Sequence, residues 1–119
     1  MSLLQVQLAT CARFGVELFA TLPTSKVGIA QDALHGGLPL NALRHSPKGN
    51  SSGWYIWAGD EPSQESDYFT PLHAGHLGVL CPSIVPYLGL PPGWRVLIAH
   101  GHEDVWFEKA LLDLATDAN

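Results

Sequence analysis

The fold class is set by residues 94–107, which read WRVLIAHGHEDVWF. Trp94 to Ala99 and Asp104 to Phe107 are short runs rich in Val, Ile, Trp and Phe, residues that favour β-strands. His100 to Glu103 separates the two runs and contains Gly101, a spacing typical of an antiparallel hairpin with a Gly-containing turn. We therefore predict two adjacent antiparallel strands close to the end of the chain.

The rest of the chain supplies helices and at least two further strands. Apolar residues recur every three or four positions from Leu4 to Leu18 or Phe19, which predicts a first helix that is over by Pro23. The other predicted elements are strands at 26–30 and 54–57, a loop at 44–53, a polar loop or short helix at 60–67, short helices at 31–34 and 82–88, and a C-terminal helix at 108–114. This order lacks regular βαβ alternation, so it predicts an α+β fold with a small, largely antiparallel sheet.

Length and charge limit the classes of function. The chain has 119 residues, near the usual size of one domain, so we expect a single domain over 1–119. Eleven acidic residues against six basic ones give a formal charge of −5, which argues against a nucleic-acid or anionic-membrane partner. No apolar stretch approaches the roughly 20 residues that span a bilayer, and we expect a cytoplasmic protein.

Six histidines are many for this length, and four of them form two close pairs. His73 and His76 are three residues apart, and His100 and His102 flank Gly101. Four converging imidazoles could bind zinc. This alternative is a small metal- or ligand-binding module or enzyme, and the competing interpretation is four ordinary surface histidines.

No catalytic motif is present. The chain lacks the GxSxG nucleophile elbow and the GxGxxG and GxxxxGK[ST] phosphate loops. Cys81 lies between Leu80 and Pro82 without a charged neighbour that would activate its thiol, and we interpret Cys11 and Cys81 as two buried thiols. We therefore predict a protein without catalytic residues, metal or cofactor.

The acidic residues are unevenly distributed. Asp60, Glu61, Glu65 and Asp67 lie within eight residues of each other, and Glu103 and Asp104 occupy the predicted hairpin turn. Such a group can be a solvated polar surface, or it can meet a basic protein partner. We take these six carboxylates as the candidate partner-binding residues.

Several short motifs resemble a known bacterial family. They are Ser52-Gly53-Trp54, Ala58-Gly59-Asp60-Glu61, Pro71-Leu72-His73, the run from Leu88 to Arg95 (LGLPPGWR), and Glu103-Asp104-Val105-Trp106. Together they cover roughly residues 24 to 113 and resemble an immunity-protein domain of bacterial polymorphic toxin systems, first catalogued as a domain of unknown function. The resemblance implies a cytoplasmic protein that binds and neutralises a cognate toxin.

Three hypotheses remain. The leading one is an immunity-type protein that engages a toxin, basic in charge, through its acidic surface. The second is the metal- or ligand-binding module or enzyme built on His73, His76, His100 and His102. The third is a homo-oligomer that pairs the exposed edges of its sheets.

Overall fold

The computed structural model describes residues 2–112. Its helices are α1 (Leu3–Phe14), α2 (Gln31–Leu34) and α3 (Leu77–Leu80), with 3-10 helices at Ala74–His76 and Pro82–Tyr87. Its strands are β1 (Lys26–Ala30), β2 (Leu40–Arg44), β3 (Ser51–Ala58), β4 (Phe69–His73), β5 (Trp94–Ala99) and β6 (His102–Phe107). None of the helices within residues 2–112 is long and apolar enough to cross a membrane.

The six strands form one sheet in the order β4-β1-β3-β2-β5-β6. Only β1 and β3 run parallel, and every other neighbouring pair is antiparallel. The predicted α+β fold with a largely antiparallel sheet is therefore confirmed. Ala58, Leu40, Ile98 and Glu103 are paired in a row across β3, β2, β5 and β6, and this row defines the upper end of the sheet.

One face of the sheet packs against the helices. Trp54, Ile56 and Val96 point from this covered face into a core that also contains Cys11 of α1 and Ile84 of the second 3-10 helix. Burying each of these larger apolar side chains contributes about 2 kcal/mol. Strand side chains alternate between faces, so the second face carries another set, which includes Tyr55, Trp57, Phe69, Leu97 and Trp106.

Helix α1 is shorter than predicted and turns a different side to the core. A capping box between Ser2 and Gln5 starts it, and Gly15, in the left-handed conformation at φ +69°, ends it. Leu4 and Leu8, which the periodicity placed on the buried face, are 52% and 53% exposed. The buried face instead contains Gln7, because the polar side chain of this residue has hydrogen-bond partners inside the protein.

The predicted loop over residues 44–53 was wrong at both ends. Arg44 ends β2, a strand that we had not predicted, and β3 already begins at Ser51. Gly53 is required by a close approach of β3 to the backbone that follows β2, because a Cβ on Gly53 would lie 2.0 Å from the carbonyl oxygen of His45. Gly53 also has φ +91°, a conformation that glycine adopts without strain. Glycine is typical of loops, but at this position it allows the strand to continue.

The C-terminal hairpin is confirmed, but its turn is tighter than predicted. Ala99 pairs with His102, so the turn comprises only His100 and Gly101. Glu103 and Asp104 are consequently strand residues. The predicted short helices at 31–34 and 82–88 are confirmed, and a helical turn occurs at 110–112, while Leu114 lies outside the described residues.

Candidate functional site

The four clustered carboxylates lie on the segment that joins β3 to β4, residues 60–67, which we call the acidic loop. Asp60, Glu61, Glu65 and Asp67 are all exposed. No Lys or Arg occurs in the sequence between Lys48 and Arg95. Since β3 ends and β4 begins at the upper end of the sheet, the loop concentrates four negative charges there.

The first end of the acidic loop is held by a buried amide. The Asn41 side chain donates from Nδ2 to the carbonyl oxygen of Gly59 at 2.8 Å and to that of Pro39 at 3.2 Å. The backbone N–H of Gly59 in turn donates to the Pro39 carbonyl at 2.9 Å. These bonds fix the loop where it leaves β3, immediately before Asp60.

The second end is held by Asp32 of α2. One carboxylate oxygen accepts a hydrogen bond from the Tyr68 hydroxyl, and the other accepts the backbone N–H of Ala58 at 2.8 Å. Burial, followed by the bond to Asp32, raises the pKa of Tyr68 to about 12. Tyr68 follows directly after Asp67, so both ends of the acidic loop are tied to the sheet and to α2.

The predicted pair Glu103 and Asp104 is split by the alternation of strand β6. Glu103 points to the covered face, where its carboxylate accepts two hydrogen bonds from the Arg13 guanidinium, at 2.7 and 2.8 Å, and another from the Tyr87 hydroxyl. These donors, Arg13 first, lower the pKa of Glu103 to about 2. The Glu103 charge is thus compensated within the protein.

Asp104 is exposed and lies on the second face, opposite Leu97 of β5. β6 is three strands away from β3, a separation of about 14 Å at the usual spacing between strands. Asp104 and the acidic loop occupy the same end of the sheet, but strands β2 and β5 lie between β6 and β3.

The structure does not bring the four histidines together. His73 and His76 stack with ring centroids 6.0 Å apart beside β4, whereas His100 and His102 belong to the β5–β6 hairpin. β4 and β6 are the two opposite edges of the sheet, about 24 Å apart at the usual spacing. Within residues 2–112, no three His, Cys, Asp or Glu side chains form a metal-binding group.

Both cysteines are buried free thiols, as predicted. Burial raises the pKa of Cys11 and of Cys81, which keeps both in the unreactive thiol form at neutral pH. The Cys11 thiol donates to the carbonyl oxygen of Gly89 at 3.2 Å. Neither position has the environment of a nucleophile.

Sequence reasoning missed the residues that position the acidic loop. Asn41 in β2 and Asp32 in α2 are polar residues without a motif around them. The available signal was the presence of polar residues in largely apolar stretches, at 38–43 and 29–34. Such residues, when buried, are usually hydrogen-bonded.

Comparison with known proteins gives one match. The family model described as the Imm33-like domain matches residues 6–108, a range that begins inside α1 and ends just after β6. No curated protein and no solved structure matches the chain.

Proposed function

The chain belongs to the Imm33-like domain family, and on that premise we propose that it is an immunity protein that neutralises a cognate bacterial toxin by binding it. The acidic loop forms the contact surface, and Asp104 extends it along the same end of the sheet. Neutralisation is stoichiometric, in the cytoplasm of the producing cell, and requires no catalytic step. The family name supports the immunity role in general terms.

The observation that supports this surface is the way the acidic loop is held. Its four carboxylates are exposed, while Asn41 and Asp32 fix its two ends through hydrogen bonds. A charged loop that is already ordered loses less conformational entropy on binding than a free one. A cluster of negative charge also accelerates encounter with a basic partner, an effect that falls as the ionic strength rises.

The test uses purified candidate toxin domains from the source bacterium, screened for binding to this chain. Co-expression of this chain should protect a cell that expresses the toxin. The quadruple variant D60N/E61Q/E65Q/D67N should bind the toxin at least about tenfold more weakly at low salt, and its affinity should depend less on salt than that of the wild type.

A matched pair of single variants separates local from general effects of charge. Glu65→Gln removes one carboxylate from the acidic loop, and Glu17→Gln removes an exposed one that follows α1. We expect only E65Q to slow association. If the wild type neither binds the toxin nor protects the cell, the proposed function is wrong. If it does both and the quadruple variant binds equally well, the contact surface lies elsewhere.

A further inference from the structure

An apolar cavity opens at the upper end of the sheet, between α2 and residues 80–83. Its volume is about 160 Å³. The side chains that line it include Ala33, Leu34, Leu40, Cys81 and Ile98, and none of the described residues that line it is charged. The cavity therefore suits an uncharged, hydrophobic group.

Large apolar side chains are exposed around this cavity. Leu38 and Leu80 both line it and are each 45% exposed, and Val79, next to Leu80, is 86% exposed. Leaving such side chains in water forgoes about 25 cal/mol for each Å² of apolar surface that a partner could cover. Exposed apolar groups gathered around a cavity are typical of an interaction site.

The acidic loop lies directly beside the cavity. Gly59, which precedes the loop, is hydrogen-bonded to Pro39, the neighbour of Leu38. Tyr68, which follows the loop, is hydrogen-bonded to Asp32 of α2, the helix whose Ala33 lines the cavity. Both ends of the acidic loop are thus attached to the segments that form the cavity wall.

We propose that this cavity receives an aliphatic side chain of the toxin, presented by a basic segment whose Lys or Arg residues meet the acidic loop. This inference rests on the proposed function and names the centre of its interface. An apolar group buried in a cavity and surrounded by polar contacts is the usual arrangement of the residues that dominate binding energy.

The charge at this end of the sheet argues for a basic partner rather than a second copy of the chain. In a two-fold dimer the same patch meets itself, so two acidic loops would face each other across the contact. Each would bring Asp60, Glu61, Glu65 and Asp67, and each chain has a formal charge of −5. Like charges placed across an interface cost several kcal/mol, whereas a basic segment compensates them.

The experiment compares Val79→Lys with Leu22→Lys, again with the purified toxin domain that the wild type binds. Val79 is 86% exposed and Leu22 58% exposed, so neither change should lower the melting temperature. Leu22 precedes β1, whose first residue pairs with Ser51 at the lower end of the sheet. V79K should weaken toxin binding at least about tenfold, and L22K less than twofold.

The exposed Ser83, which also lines the cavity, provides a second readout as Ser83→Cys. Saturating toxin should slow alkylation of the S83C thiol by a maleimide at least about fivefold, and the wild type, whose two cysteines are buried, gives the background. Unchanged alkylation in the complex would show that the cavity stays empty.

The outcomes separate this inference from the proposed function. If the toxin binds the wild type and V79K equally and the S83C thiol is not protected, the cavity is not the contact and only this inference is wrong. If the wild type binds no toxin and gives no protection, both are wrong. If light scattering shows a dimer that V79K dissociates, a second copy occupies the cavity and the inference is overturned.

Discussion

At the scale of single residues, Arg44 is the least expected group in the protein. It is 1% exposed, and its guanidinium donates to four backbone carbonyls: to Ser52 at 2.9 Å, Phe19 at 2.6 Å, Leu90 at 2.8 Å and Leu88 at 3.2 Å. Burial lowers its pKa to about 10, which still leaves it charged at neutral pH. Charge-assisted hydrogen bonds of this kind are about twice as strong as neutral ones.

We expect Arg44→Lys to destabilise the protein by about 3 kcal/mol, because an ammonium cannot reach the same carbonyls and leaves several of them unsatisfied. Urea unfolding followed by tryptophan fluorescence measures the change. Arg13→Lys is the control. The Arg13 side chain is 53% exposed, so this substitution should lower the free energy of unfolding by less than about 1 kcal/mol. Equal losses in the two variants would contradict the role given to Arg44.

At the scale of elements, α1 is attached by specific polar contacts as well as by apolar packing. The Gln7 side chain donates to the carbonyl oxygen of Thr21 and accepts from its N–H, both at 2.9 Å, and it is fully buried. The Thr21 hydroxyl in turn donates a hydrogen bond to the carbonyl oxygen of Leu88. This chain of bonds joins the helix to the segment before β1 and to the end of the second 3-10 helix.

Gln7→Met should therefore cost about 2 kcal/mol, since it keeps the volume of the side chain but orphans both backbone groups of Thr21. The same substitution at the exposed Gln64 in the acidic loop should change stability by less than about 0.5 kcal/mol. Chemical denaturation of the two variants measures the difference. A Gln7→Met protein as stable as Gln64→Met would mean that apolar packing alone holds α1.

At the scale of the whole molecule, Glu103 connects three elements. It lies on β6, its carboxylate accepts from Arg13 of α1, and it also accepts from Tyr87 of the second 3-10 helix. Its pKa falls from 4.5 to about 2 in the folded protein. Its stabilising effect is therefore complete above pH 4.5 and is lost as the pH falls through 2.

Glu103→Gln should lower stability at neutral pH by about 1 kcal/mol, in line with partly exposed ion pairs. The difference from the wild type should shrink as the pH is lowered from about 5 towards 2. Thermal unfolding across this range measures it, with Asp104→Asn on the same strand as the control. A difference that stays constant over the whole range would show that the Glu103 charge does not contribute.

Local patterns were enough for the fold class and for four of the six strands, β1, β3, β5 and β6, but not for β2 and β4. The run from Trp94 to Phe107 predicts a hairpin because β-branched and aromatic side chains favour the extended backbone and Gly101 permits the turn. Composition was likewise sufficient to identify an acidic protein. Short motifs were sufficient for the family resemblance. Each of these inferences depends on neighbours in sequence.

The sheet order, the burial of Arg44 and the position of the acidic loop were decided by the tertiary structure alone. They depend on contacts between distant residues, such as Asp32 with Tyr68, whose free energy does not appear in any local pattern. The same reason explains why Glu103 and Asp104, adjacent in sequence, face opposite sides of the sheet with different partners. The cavity beside the acidic loop exists only because α2 and residues 80–83 meet above β2 and β5.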